Sequence, residues 1–188
     1  QLFGSLKNRL DNTRALLDNL LDWTLLQMDE LVIRMQPLNL YEIVAANIDF
    51  FHQTNDKHII FFNKVDEDLK VLADHNMLDL VLRNLIVNSL KFTQEGGFIE
   101  IAAERISDEY VEVSLMDNGI GMSEEIAESL FDQGTMISTP GTANERGTGL
   151  GLKLCREFVG RMGGKINVSS QLDEGSEFKF TLKIPNQN

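Results

Sequence analysis

The chain has 188 residues, 43% of them hydrophobic, and a formal net charge of −12 at neutral pH. That length suits one domain with an appendage and a single packed core. The acidic balance argues against nucleic acid as a partner, because phosphate contacts need clustered Lys and Arg, and no apolar run approaches the ~20 residues that span a bilayer.

The start, Gln1 to Leu10, mixes polar and apolar residues and carries no signal-peptide pattern. From Phe3 to Met35 the pattern predicts one long helix, in which Leu6, Leu10, Thr13, Leu17, Leu20, Thr24 and Leu31 alternate spacings of four and three, with a polar gap at Gln27. Pro37 ends the run. Such a helix is ~50 Å long, so it is expected to bury its stripe against another helix, in a bundle or a coiled-coil arm. Asn39 is a candidate cap for a second helix, Leu40 to about Thr54. Strands are predicted at His58–Asn63 and Lys70–Ala73, then a helix capped by Asp74 and running to about Thr93, where Gly96-Gly97 breaks it. Phe98–Ile106 and Tyr110–Met116 read as a hairpin. Ser123 is a candidate cap for a short helix to Leu130. Asp132 to Arg146, small and polar, reads as a long loop, and a loop of that length inside a compact domain is usually functional or mobile. A helix from about Leu150 to Met162 ends at Gly163-Gly164, and Lys165–Ser170 with Ser176–Ile184 form a last hairpin. The fold class expected is α+β, a two-layer mixed sheet with helices on one face, preceded by a long N-terminal helix. The lone Cys155 rules out an internal disulfide, fits a reducing compartment, and reads as packing in its helix.

Three patches carry polar chemistry. On the helix after Asp74, Leu78, Val81, Leu82, Leu85, Ser89 and Phe92 form a core face, and Asn76, Asp79 and Arg83 a solvent stripe. Asn84, Asn88 and Lys91, at i, i+4 and i+7, form a second polar stripe. It reads either as a wide solvated face or as a pocket wall, where an Asn oxygen suits Mg²⁺ beside phosphate oxygens and a Lys one turn on meets a phosphate. In the strand before Asp117-Asn118-Gly119-Ile120-Gly121, Val111, Val113 and Leu115 alternate with polar residues, and Asp117 keeps the apolar parity, so it points to the core. A buried carboxylate needs a donor. An adenine amino group would serve, with Gly119 and Gly121 letting backbone pass close to base and sugar, although Asp-Asn-Gly also favours a turn capped by its Asp. In the third patch, Gly147, Gly149 and Gly151 alternate before helical spacing begins, placing backbone N–H groups where an anion binds. It is neither a P-loop nor the Rossmann fingerprint. Arg146 at its entrance either adds charge to that anion site or is a solvated loop residue. Phe131 either anchors the loop or is plain core.

These residues resemble the catalytic and ATP-binding part of a sensor histidine kinase, within the Bergerat-fold ATPases that also include Hsp90-type chaperones and MutL-type repair proteins. The resemblance covers about residues 36 to 185. Asn84 to Thr93 resembles the N box, Asp117 to Gly121 the G1 box, Leu130-Phe131 the F box, Gly147 to Gly151 the G2 box, and Gly175-Ser176-Glu177-Phe178 the last glycine element. It implies ATP and Mg²⁺ as cofactors, with Asn88 on the metal, Asp117 on adenine, Lys91 on phosphate and residues 132–146 as a lid. The nucleotide-binding set it implies runs through Asn84, Asn88, Lys91 and Phe92 to Asp117, Gly119, Gly121 and Phe131, then Arg146, Gly147, Thr148, Gly149, Leu150 and Gly151. Asn84 and Lys91 are the candidate catalytic positions. ATP-hydrolysing members carry a water-activating Glu where this chain has Asn84, and a neutral amide cannot be a general base. That favours phosphoryl transfer to a protein acceptor, in which a site positions and neutralises charge. Residues 1–35 resemble the second helix of the family's dimerisation hairpin and 36–188 its catalytic domain. The expected partners are a second copy, through the N-terminal helix, and a response-regulator receiver domain, with no nucleic acid and no membrane contact by these residues. The expected location is cytoplasmic, including the cytoplasmic part of a membrane-anchored sensor. His52, His58 and His75 lack the acceptor motif of the family, His58 being read in a strand, so the acceptor is expected upstream of residue 1. The alternatives are a nucleotide-binding regulatory module without kinase activity, or a chaperone- or repair-type ATPase.

Overall fold

The computed structural model describes residues 32–53, 55–131, 141–142 and 151–185. The predicted arm up to residue 31 and most of the predicted loop lie outside them. Val32 to Met35 do not continue a helix. Instead Ile33 and Met35 pack against the core, and the Arg34 amide donates to Asp74 Oδ2 at 2.8 Å. Burial of two apolar side chains and a proline two residues ahead outweigh the heptad-like pattern there.

The chain then forms β1 (Gln36–Asn39), α1 (Leu40–His52), β2 (Ile60–Lys64), β3 (Lys70–Ala73), α2 (His75–Phe92), β4 (Phe98–Arg105), β5 (Tyr110–Asp117), α3 (Glu124–Ser129), α4 (Gly151–Arg161), β6 (Ile166–Gln171) and β7 (Gly175–Lys183). Two of the three predicted caps form. Asn39 Oδ1 accepts from the Glu42 amide at 3.1 Å, and Asp74 Oδ1 accepts from the amides of Asn76 and Met77 at 3.0 and 3.2 Å. Ser123 holds the N-cap position of α3, but its side chain makes no capping bond. His58 is not in a strand. Its φ of 53° places it in the turn before β2, and Asn55 brackets that turn by bonding both the amide and the carbonyl of Ile59. β1, too short for a periodic signal, pairs with β3 on the sheet edge, a position that tolerates Pro37.

The strands form one mixed sheet in the order β1-β3-β7-β5-β4-β2, with β6 also on β7. Among the described residues only β2 and β4 run parallel. β7 meets β3 at a single pair, Leu72 opposite Lys183, and β6 from Gly175 to Phe180, so two short strands share one flank of β7. On its other flank the β5–β7 register sets Val111, Val113 and Leu115 opposite Leu182, Phe180 and Phe178, all buried under α1, α2 and α4 in one core. The opposite face carries charge, with Lys179 3.8 Å from Glu112 and 3.2 Å from Glu177. Cys155 is fully buried, and burial pushes its thiol well above the ordinary range. It is packing rather than a reactive thiol.

Candidate functional site

The β5 alternation carries through to its last residue. Asp117 sits opposite Ile99 on one side and Ser176 on the other and is 4% exposed. Burial pushes its carboxyl above the usual carboxylate range, against three donors that pull it down: the Ser89 hydroxyl and the amides of Gly119 and Ser176. The Ser89 bond is 2.6 Å, to Oδ2, and the Gly119 bond is 3.0 Å, to Oδ1. Asp117 is thus a turn-capping Asp, through the Gly119 amide, and at the same time a buried acceptor. The glycines beside it have a reason within the protein. A Cβ on Gly119 would stand 2.6 Å from the Phe92 carbonyl, and one on Gly121, whose φ is +61°, would run into the Gln171 carbonyl. Those approaches join the turn to the end of α2 and to β6, and the Ile120 amide donates to the Phe92 carbonyl at 3.1 Å.

α2 supplies the opposite wall. Its core face is Met77, Leu78, Val81, Leu82, Leu85, Ile86 and Ser89, while Phe92 is only half-buried. Asp79 and Arg83 pair at 2.9 Å on the solvent stripe, where Asp79 also accepts from Asn47. Asn84, Asn88 and Lys91 are all half-buried, as a cleft wall would be. The Asn84 amide nitrogen donates to the Leu80 carbonyl at 2.9 Å, which aims its oxygen away from its own helix. A Cβ on Gly151, the first residue of α4, would collide with that oxygen. The N-terminus of α4 therefore abuts the polar stripe, and the N-terminus of a helix favours an anion through its dipole and the N–H groups of its first turn. A nucleotide fits this arrangement. The carboxylate end offers acceptors, the helix that holds it through Ser89 also carries the oxygen-bearing stripe, and the glycine at the head of α4 lets that helix approach Asn84. Among the described residues no cluster of three or more His, Cys, Asp or Glu is placed to hold a metal.

The start and the middle of the long connection are tied down. Leu130 and Phe131 pack against the core, and Arg156 of α4 donates to the Phe131 carbonyl. Thr142 sits on the last turn of α2, where its amide donates to the Lys91 carbonyl at 3.0 Å and its hydroxyl lies 3.1 Å from both the Lys91 and Thr93 carbonyls. Lys57 completes the junction, its ammonium 2.8 Å from the Leu90 carbonyl, 3.2 Å from that of Lys91 and 2.8 Å from the Thr142 hydroxyl. A cation on the terminal carbonyls of α2 is favourable. The Lys91 ammonium stands over the Phe92 ring at 4.6 Å.

Asn84, Asn88, Lys91, Phe92, Asp117, Gly119, Gly121 and Gly151 are thus brought together around α2 and the ends of β5 and α4, with Phe131 at the base of the connection. Arg146, Gly147, Thr148, Gly149 and Leu150 lie outside the described residues. Sequence reasoning did not find Lys57, Thr142 or the bond from Ser89. Ser89 had a signal, being the one polar residue on the core face of α2.

The sequence model for the "Histidine kinase-, DNA gyrase B-, and HSP90-like ATPase" family matches residues 73–186. The adaptive-response sensory kinase SasA of Prochlorococcus marinus (strain MIT 9303) is 35% identical over 185 residues, covering 97% of this chain and 49% of the relative, so the chain spans about half the length of that protein. Among solved structures, the nucleotide-free catalytic domain of histidine kinase ThkA superposes with a TM-score of 0.68 at 31% identity, covering 80% of this chain and 96% of that one. ThkA in complex with response regulator protein TrrA superposes with a TM-score of 0.73 at 28% identity, covering 94% and 50%. Since the family's own pattern spans more than half of these residues and its fold is the one described above, the chain belongs to the histidine kinase-, DNA gyrase B- and HSP90-like ATPases, with sensor histidine kinases as its relatives.

Proposed function

We propose that this chain is the ATP-binding kinase part of a sensor histidine kinase. It binds ATP with Mg²⁺, passes the γ-phosphoryl group to a His nitrogen upstream of residue 1, and so supplies phosphate for an Asp of a response regulator. The observation that carries this reading is the buried Asp117 carboxylate, joined to Ser89 on the same helix that bears Asn84, Asn88 and Lys91. Asp117 accepts from the 6-amino group of adenine. Asn88 supplies one oxygen to Mg²⁺, Lys91 meets the phosphates as a point charge, and the N-terminus of α4 faces the same anion. When bound, the metal neutralises charge that develops on the transferring phosphoryl group. Asn84 has no basicity with which to activate water, and its amide nitrogen is committed to the Leu80 carbonyl. That supports transfer to a protein acceptor, in which the P–O bond to ADP breaks as the N–P bond forms, over hydrolysis. ThkA, captured with a response regulator, supports the downstream partner. The apolar stripe of the N-terminal residues supports pairing of two copies. Among the described residues no helix is long and apolar enough to cross a membrane, and the proposed place of work is the cytoplasm.

The N-terminally extended protein, given γ-labelled ATP and Mg²⁺, is expected to label itself. Asn88→Ala should cut that labelling at least tenfold and flatten the Mg²⁺ dependence of ATP binding. An extended protein that binds ATP and takes up no label would favour a regulatory module, and sustained multiple-turnover hydrolysis by the 188-residue chain would favour a chaperone- or repair-type ATPase.

A further inference from the structure

Ser89 lies where the apolar stripe of α2 meets the end of β5. It is 2% exposed, and alanine would serve the helix better at that position. Its hydroxyl donates to Asp117 Oδ2 at 2.6 Å, while the Gly119 amide holds Oδ1 at 3.0 Å. A hydroxyl carries one hydrogen. Once that hydrogen is spent on the carboxylate, Ser89 offers only lone pairs to whatever lies against it, and Asp117 offers only lone pairs as well. With each carboxylate oxygen held by a different element, the group cannot turn to present anything else.

We propose that Ser89 is a positioning residue that sets the choice of purine: by spending its one hydrogen on Asp117 it makes the base end of the site acceptor-only, so that a 6-aminopurine is taken and a 6-oxopurine refused. This rests on the nucleotide reading of the site given above and deepens it. A 6-amino group brings two hydrogens to that acceptor pair. A 6-oxo group brings lone pairs against lone pairs, at a buried place where an unmet acceptor is costly. In Ser89→Ala the lost hydroxyl leaves room for a water entering from the ligand side. Water has two hydrogens, one for Asp117 and one for the 6-oxo oxygen, so the refusal relaxes.

Calorimetric titration with ADP and with inosine diphosphate tests this, because the two differ along one edge of the base alone, an amino group at position 6 beside a bare N1 in the first and an oxo group beside an N1–H in the second. Wild type should prefer ADP. Ser89→Ala should shrink the ratio of the two dissociation constants about tenfold, the worth of one hydrogen bond to a buried charge, and Ser89→Thr, which keeps the hydroxyl, should restore it. A merely structural role would weaken both nucleotides together and leave the ratio unchanged, which would overturn the proposal. If Ser89→Ala fails to fold, Ser89→Cys decides, since a weakly donating thiol should give an intermediate ratio and a wild-type ratio would refute the idea. Asp117→Asn separates the two levels. Loss of the ADP preference there, with that preference intact in Ser89→Ala, would sink the role of Ser89 and spare the nucleotide site. Equal binding of ADP and inosine diphosphate by wild type would overturn both.

Discussion

Asp117→Asn is expected to lower ADP affinity at least a hundredfold without unfolding the protein. The substitution keeps the shape of the side chain but turns one acceptor into an NH₂ group that faces the amino group of the base. Loss of a hydrogen bond to a charged group together with a donor–donor mismatch is worth ~3 kcal/mol or more. The effect on stability has the opposite sign. Burial raises the carboxyl above its ordinary value of 3.8, so the folded chain holds that proton more tightly than the unfolded one. Between the unfolded and the folded pKa the folded state binds more protons, and stability falls as pH rises through that window. Above the folded pKa the full cost of a buried charge is present, and it is relieved as pH falls back toward the ordinary value. Asp117→Asn removes this cost. Its thermal midpoint at neutral pH should match or exceed that of wild type, and this component of the pH dependence should vanish. Calorimetry with ADP and melts across pH measure both. Unchanged affinity would take Asp117 out of the base site, and a large loss of stability would mean that its ionised form holds the turn.

Gly175→Ala is expected to be the most disruptive small substitution near the site. Gly175 opens β7 with a φ of +110°, and a Cβ there would run into the Asp117 carbonyl and stand 3.0 Å from the Asn118 Cα. A side chain at such a φ costs ~1–3 kcal/mol by itself, and the neighbour it meets is backbone, which gives way only if β5 and β7 separate. A loss of ~3 kcal/mol or more should lower the melting midpoint by ~10 °C in a domain of this size. Because the displaced carbonyl belongs to Asp117, ADP affinity should drop as well. Gly160→Ala is the control. That position lies in α4 with nothing within 4 Å of a Cβ, so alanine should stabilise by ~1 kcal/mol through helix propensity. Equal melting midpoints for the two variants would show that the approach of Gly175 to Asp117 is not a tight one.

What could be read in the residues beforehand was whatever local chemistry decides. Asn39 and Asp74 cap their helices because a short polar side chain before an apolar period can satisfy the first amides. Asp117 is buried because strand parity leaves it no alternative. The stripe of Asn84, Asn88 and Lys91 follows from helix period alone. What escaped depends on partners far away in the chain. β1 is four residues long and exists because β3 is there to pair with it. Val32 to Met35 leave the helical pattern because the core has places for Ile33 and Met35. Lys57 gave no hint of its place at the end of α2 and beside Thr142, 85 residues on. The glycines of the Asp117 turn suggest room for a ligand, whereas Gly119 and Gly121 first make room for Phe92 and Gln171. Ser89 was legible as core but not as the donor to Asp117, since a register across 28 residues joins the two.

One nucleotide is expected to touch the end of β5, the polar face of α2 and the first turn of α4 at once. Backbone amide shifts of the 188-residue chain, followed by NMR as ADP and Mg²⁺ are added, test this most directly. Movement of the amides at Asn84–Phe92, Asp117–Gly121 and Gly151 along one shared binding curve is the predicted result. Shifts confined to a single one of these segments, or three segments titrating with separate affinities, would contradict it.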